Sequence, residues 1–422
     1  MNRRNFPASA ERIAADIDAL AGLTEPGRPY TRRAFTPLHL EGRSFLAEQF
    51  RKAGLAVHVD AGGNLVGRRA GNNPSLGTLM LGSHSDTVPD GGRFDGIAGV
   101  IAALEVARTL TEQGIDLEHD LEIVDFLAEE VSIFGVSCIG SRSMAGTRPS
   151  EWLSREVDGQ TLAQGIANAG GDPGSHEIRS DIRAFLELHI EQGPILEAER
   201  LSIGVVTAIA GITRIEVKIE GRADHAGTTP MDRRADALVA ASRMVLDIEA
   251  LATTMASGRA HFAATVGEFS LLPNAANVIP SHVRMLIDIR AEKPEDAKLF
   301  ARALQKTAHE IGSASGTTIS LNPISEAAAV PMNSYLQEVL SDIAGVIGEG
   351  HRRLASGAGH DAAFIARVAP AGMIFIPCRD GRSHAAEELA ETNDIALGAM
   401  VLLEAVKRLD NEMSTTTDKE RH

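Results

Sequence analysis

Two cysteines in 422 residues leave little room for disulfide chemistry. Cys138 and Cys378 could form one bridge at most, so no disulfide framework is expected and a reducing cytoplasm is the expected compartment. Aromatic residues are also scarce, at 4% with one Trp and two Tyr, which excludes a surface built on stacking against bases or sugars. Basic residues are in deficit. Lys and Arg number 41 against 57 Asp and Glu, and the net charge of −16 disfavours nucleic acid and anionic membrane as partners. No apolar run reaches the roughly 18 residues that a membrane helix needs. The first residues, MNRRNFPASAERIAADIDAL, carry arginines but no apolar core, so they do not read as a secretory signal.

What is present is a globular composition, 44% hydrophobic and 23% charged. The chain is too long for one ordinary core, so two domains are expected. Residues 7–22 and 39–54 read as amphipathic helices, and AVHVDAGGNLVGRRAG as a hairpin. TLMLGSH, LEIVDFLAEE and DIRAFLELHIEQG read as buried strands, with the helix GIAGVIAALEVARTLTEQG between the first two. That helix carries an apolar stripe of Ile97, Val100, Ile101 and Leu104. Strands alternating with helices predict an α/β sheet with helices on both faces.

The character changes near residue 212. ITRIEVKIEGRADHAG alternates as an antiparallel strand does. A helix at about 232–251 follows, then two strands around a Pro/Asn turn, a helix at about 294–312 and the strand TTISLNPIS. That order is the ferredoxin-like split pattern. The expected organisation is a discontinuous catalytic domain, 1–212 and 331–412, with an inserted α+β domain at 213–330. The polar segment 413–422 reads as a disordered tail.

Metal-ligand residue types gather at predicted strand ends, where open α/β sheets bind ligands. LGSHSDTVPDGGRFDG, residues 81–96, delivers His84 and Asp86, with Asp95 opening the next helix. The second strand delivers Glu129 and Glu130, the third His189, and GMIFIPCRDGRSH delivers His384. Each residue alone reads as polar surface, whereas the set together reads as a site. Imidazole and carboxylate without thiolate suit Zn²⁺, Mn²⁺, Co²⁺ or Ni²⁺. More candidate groups than one ion needs imply two ions with one bridging carboxylate, and Asp95 at a helix start, where free amides can aim it, fits that position. One glutamate of the pair can ligate while its neighbour acts as general base.

With these motifs in view, the chain resembles the M20-type metallohydrolases, in the branch of N-carbamoyl-L-amino-acid hydrolases and allantoate amidohydrolases. The likeness covers about residues 10–410 and rests on GSHSDTVPDGGRFDG, EE, LHIEQG, RADHAGTTPM, PNAANVIP, DIR, SGAGHDA and DGRSHAAEE, in family order. The resemblance implies two divalent ions, Zn²⁺ foremost. One would be held by His84, Asp95 and His189, the other by Asp95, Glu130 and His384. Glu129 would be the general base, with Asp86 orienting His84. His225 would polarise the scissile carbonyl, in this chain or across a homodimer formed by the inserted lid domain. Asn277 and Arg290 would hold a substrate carboxylate, and Gln192, Gly359 and His360 would line the pocket. A plain turn histidine is the bland reading of His225, a surface ion pair that of Arg290, and a helix start that of GAGHDA. One departure is visible: AAEE follows His384 where many relatives have a proline before the acid, and Glu388 keeps the acid's spacing. The implied activity is hydrolysis of an N-carbamoyl-L-amino acid. The alternatives are allantoate or another ureido acid, an aminoacylase, dipeptidase or amide-conjugate hydrolase, and a catalytically silent binding protein.

Overall fold

The buried apolar runs of the sequence become the central strands of a large mixed sheet. The computed structural model describes residues 7–175, 178–258, 260–347 and 350–419. The chain divides into two compact units. Ala208–Pro331 with Ala355–Gly359 forms one, and the rest of the chain forms the other.

In the larger unit, four strands run parallel and adjacent in the order Asp120–Phe126, Thr78–His84, Ile182–Ile190 and Ala371–Ile376. The hairpin Ala56–Val59/Leu65–Arg69 adds antiparallel strands at one side, and Ile203–Ile209 pairs antiparallel with Ala371–Ile376 at the other. The first, second and fourth parallel strands are buried at every position, as strands with both faces covered must be. Parallel pairing puts their carboxyl ends on one rim, because neighbouring strands point the same way.

The helix Ile97–Glu112 departs from its expected stripe. It is buried all round from Ile97 to Leu110. It packs against the Thr78–His84 and Ile182–Ile190 strands and against the outer helices Ala10–Ala21 and Thr392–Lys419. A helix covered on all sides carries apolar residues on all sides.

The smaller unit is a four-stranded antiparallel sheet in the order Phe262–Leu272, His282–Ala291, Gly211–Glu220 and Thr318–Ala327. Helices Ala237–Ala256 and Pro294–Ser315 pack on it. Alternation in His282–Ala291 sends Val283, Met285, Ile287 and Ile289 into a core with Met244, Ile248, Phe300 and Leu304. Asp236 caps the first helix, accepting from the amides of Leu238 and Val239. The strand order and the two helices make the ferredoxin-like arrangement.

Two boundaries differ from the sequence expectation. The second unit begins before residue 213, because only Ala210 separates the strand Ile203–Ile209 from Gly211–Glu220. The short segment Ala355–Gly359 also groups with it. Arg290 donates from Nη1 to the Gly357 carbonyl at 2.8 Å, and this contact binds the segment. The segment read as a tail begins inside a helix. Helix Thr392–Lys419 continues through most of 413–422, and 420–422 lie outside the described residues. Met413 packs on the core, and Ser414 and Thr415 hydroxyls donate to the Asn411 carbonyl. No Gly or Pro in that stretch stops the helix.

Candidate metal centre

His84 ends its strand, and His189 sits next to the last residue of the neighbouring parallel strand. Both are buried, as is Asp95 just ahead of helix Ile97–Glu112. Glu129 and Glu130 follow the strand that pairs on the other side of His84, and His384 follows the strand paired with His189. Ligand atoms of His84, Asp95 and His189 lie within 4.8 Å of one another. The same holds for Asp95, Glu130 and His384, so Asp95 belongs to both groups.

The hydrogen bonds decide what these rings can do. His84 Nδ1 lies 3.1 Å from the Asp86 carbonyl, and His189 Nδ1 lies 2.9 Å from the Ile190 carbonyl. A carbonyl only accepts, so each Nδ1 carries a hydrogen and a neutral ring leaves Nε2 as a lone pair, while burial, which lowers both rings, is outweighed by the carboxylates around them, which raise both above the ordinary range. Those lone pairs face carboxylates: His84 Nε2 is 3.6 Å from Glu129 Oε2, and His189 Nε2 is 3.2 Å from Asp95 Oδ1. His384 Nε2 stands 3.0 Å from Asp95 Oδ2 and 3.0 Å from Glu130 Oε1. Lone pairs and anions face each other stably only with positive charge between them. A proton can supply it, and so can a divalent cation, which imidazole Nε2 and carboxylate oxygens both ligate.

The electrostatics of the pocket agree. Burial pushes the Asp95 carboxyl up, yet its bonds to His189 and His384 win and hold it well below the ordinary range. Glu129 goes the other way: burial raises it well above the ordinary range, with Glu130 and Asp361 adding and His84 opposing. The bonds to Asp95 and Glu130 push His384 up to about 10. Burial first, then His189, keeps His360 neutral, its ring centroid 4.4 Å from that of His189. The rim is acid-rich and draws cations.

Side chains behind the rim aim it. Asp86, fully buried, accepts from the amides of Glu129 and Glu130, both at 3.2 Å, while its carbonyl takes the His84 ring. Its carboxylate therefore holds the glutamate loop and also lies 3.6 Å from His84 Nδ1, beside the carbonyl that accepts from that ring. Helix amides were expected to aim Asp95. Instead Gln192 Nε2 donates to Asp95 Oδ2 at 3.2 Å, beside Ser383 Oγ at 3.3 Å. Gln192, expected in the substrate pocket, thus sits against a candidate ligand. Glu388 accepts from the amides of Phe94 and Asp95 at 2.8 and 3.0 Å, so the altered AAEE segment keeps this contact. Gly96 is required: at φ 67°, an added Cβ would lie 2.3 Å from His84 Nε2.

The remaining candidates belong to the smaller unit, apart from His360. His225 is exposed, bridges to Val278, and accepts from the Gly227 amide at Nδ1, 3.1 Å away. Its neutral ring therefore carries the hydrogen on Nε2 and can donate from it. Asn277 lies beside it, its carbonyl accepting from the Ala226 amide. Arg290 gives Nε to Asp288 Oδ1 at 2.9 Å and Nη1 to Gly357, in the segment that also holds Gly359. Nη2 makes neither contact, which leaves guanidinium hydrogens for the substrate carboxylate expected at Arg290.

Sequence reading missed several contributors. Glu187 accepts from Ser83 Oγ at 2.8 Å and from the Ala362 amide at 3.2 Å, and Ser141 donates to Asp361. Glu187 left a signal, an acid inside the apolar run AFLELHI. Ser383 and Asp361 left none that local pattern could separate from ordinary loop polarity.

A parallel α/β rim carrying paired His/carboxylate groups with one shared acid is the architecture of a metal-dependent hydrolase. Residues 80–408 match the model of the peptidase family M20/M25/M40, and the chain belongs to that family. It is 38% identical over 409 residues to an N-carbamoyl-L-amino-acid amidohydrolase of Paenarthrobacter aurescens, covering 96% of this chain and 98% of the relative. A ureidoglycolate hydrolase of Oryza sativa subsp. japonica is 35% identical, over 96% of this chain and 85% of the relative. Among solved structures, a hydantoinase/carbamoylase family amidase from Burkholderia multivorans superposes with a TM-score of 0.89 at 37% identity, over 96% of this chain and 98% of that one.

Proposed function

We propose that this chain hydrolyses the ureido C–N bond of an N-carbamoyl-L-amino acid, adding one water and giving the amino acid, carbon dioxide and ammonia. The observation that carries the reading is Asp95 shared between two His/carboxylate groups whose His84 and His189 rings are held through Nδ1 with Nε2 turned to the carboxylates. The full-length likeness to an N-carbamoyl-L-amino-acid amidohydrolase supports the substrate class.

His84, Asp95 and His189 would hold one divalent ion and Asp95, Glu130 and His384 a second, with Zn²⁺ suited best and Mn²⁺, Co²⁺ or Ni²⁺ acceptable to the same donors. When bound, the ions supply Lewis acidity and acidify water. Glu129, beside His84 but outside both ligand groups, takes the proton of the attacking water and delivers it to the departing nitrogen. Asp86 keeps the Glu129 backbone in place. His225 donates from Nε2 to the oxygen that becomes negative. Asn277 and Arg290 bind the substrate carboxylate, and Gln192, Gly359 and His360 border the substrate.

A second reading, ureidoglycolate or allantoate as substrate, is favoured by the plant relative of similar identity. A homodimer through the smaller unit is part of the proposal, since that unit presents strand edges at Phe262–Leu272 and Thr318–Ala327. So is a cytoplasmic location, supported by two free cysteines. No described helix is long and apolar enough to cross a membrane.

The test is ammonia release by metal-loaded protein on N-carbamoyl-L-amino acids, allantoate, ureidoglycolate, N-acyl amino acids and dipeptides. Turnover of N-carbamoyl amino acids is expected. Turnover of dipeptides with none of any ureido compound would overturn the reading.

A further inference from the structure

Arg32 lies far from any motif, and among the described residues it is one of the largest fully buried side chains, 1% exposed. None of its guanidinium hydrogens goes to a carboxylate. Nε and Nη2 both donate to the Ser85 carbonyl, at 3.2 and 2.9 Å, and Nη1 donates to the carbonyls of Leu20 and Leu23. Its backbone grips the same loop, with its amide donating to Thr87 Oγ1 at 2.8 Å and its carbonyl accepting from the Thr87 amide at 3.1 Å. Burial pushes the guanidinium down to about 10, with Asp125 and Asp86 opposing, so it stays charged at neutral pH. A buried cation without an ion-pair partner is a large expense in stability, and hydrophobic packing would fill the space without it.

The loop it grips is the one that matters. Ser85 lies between His84, a candidate ligand, and Asp86, whose carbonyl holds the His84 ring and whose carboxylate holds the amides of Glu129 and Glu130. Fixing the Ser85 peptide therefore fixes an imidazole and two glutamates together. A fork is needed for this: two N–H groups on one oxygen set both its position and its direction, which a single ammonium cannot do. The fold keeps room for the fork, because Gly42 of helix Pro37–Lys52 faces it. An added Cβ there would lie 3.0 Å from Arg32 Cδ and 3.2 Å from Nε.

We propose that Arg32 is a positioning residue for the metal centre, locking the Ser85 peptide so that His84 and the Glu129–Glu130 loop hold ligand geometry. The inference rests on the proposed metal centre but not on the identity of the substrate. Its test measures Co²⁺ affinity by chelator competition, and the visible Co²⁺ spectrum, on wild type and Arg32→Lys. Unfolding of the metal-free proteins is followed in parallel. Arg32→Lys is expected to weaken Co²⁺ binding by about 10–100-fold, the usual loss when a group supporting a ligand is removed, with an altered spectrum. Two further variants keep the proposal falsifiable if Arg32→Lys fails to fold. Thr87→Val removes one backbone anchor and Gly42→Ala presses on the fork, and each should weaken Co²⁺ binding in the same direction. Wild-type affinity and spectrum in the folded variants, with only the metal-free unfolding midpoint lowered, would overturn the proposal. Wild-type protein that binds Co²⁺ but turns over no ureido compound would instead sink the proposed activity and leave this measurement standing.

Discussion

Glu129 and Glu130 are adjacent in sequence, and the different roles proposed for them rest on what each carboxylate faces. Glu130 Oε1 meets His384 across from Asp95, whereas Glu129 Oε2 meets His84 from outside both ligand groups. Glu129→Gln keeps the shape and removes the proton acceptor. It should lower kcat by about 10²–10⁴-fold, the range for losing a general acid–base group, while metal content measured by elemental analysis stays at the wild-type level. Retained activity would exclude Glu129 as the base. Gly96→Ala should do the reverse and act on the metal. Its Cβ would sit 2.3 Å from His84 Nε2 on a backbone at φ 67°, so the His84 ring or the backbone that carries Asp95 must shift. Metal stoichiometry is expected to fall with activity, and a fully loaded Gly96→Ala protein would argue against a centre built on His84 and Asp95.

Elements are tied to one another by single polar residues as much as by their apolar faces. Asp410, in the last helix, accepts from the amides of Glu118 and His119 ahead of the strand Asp120–Phe126, and meets His119 Nδ1 at 2.8 Å. Burial acts to raise its carboxyl, but the His119 bonds prevail and hold it below the ordinary range. A carboxyl depressed in the folded state contributes stability above its unfolded pKa, about 4, and loses it as pH falls through the folded value. Asp410→Asn should therefore destabilise the protein by about 1–3 kcal/mol at neutral pH, the cost of disturbing a buried charge-assisted bond. In urea unfolding, the gap between the two proteins should close below about pH 4. A gap that widens with acid would contradict this sign. The same scale shows where local reading failed. The helix Ile97–Glu112 carries more than its expected stripe because neighbours cover every side, and Thr392–Lys419 outruns its apolar part because Met413 still finds the core.

At the scale of the molecule, the chain carries a net charge of −16. Asp86, Asp95, Glu129, Glu130 and Glu388 crowd one rim, and cations bound there should stabilise the folded chain as any ligand of the native state does. Removing divalent ions with a chelator should lower the unfolding midpoint. At a thousandfold excess of ion over its dissociation constant, the stabilisation amounts to about 4 kcal/mol per site. Readdition should restore both midpoint and activity, and a midpoint indifferent to chelator would argue against a metal centre.

The sequence by itself determined the chemistry of the rim and the class of each layer. His84, Asp95, Glu129, Glu130, His189 and His384 were legible because strand ends, alternation and ligand type are local properties that a short window carries. So was the ferredoxin-like order of the smaller unit, which follows from the succession of periods along the chain. Tertiary structure alone decided who holds whom. Glu388 takes the amide of Asp95 across 293 residues, Arg32 takes the Ser85 carbonyl across 53, and Glu187 meets Ala362 across 175. Such partners are chosen by strand order and by which buried donor has no nearer acceptor. Neither is written in the residues on either side of Arg32 or Glu388, and this is why the candidate ligands could be read from the chain while distant supports such as Arg32 could not.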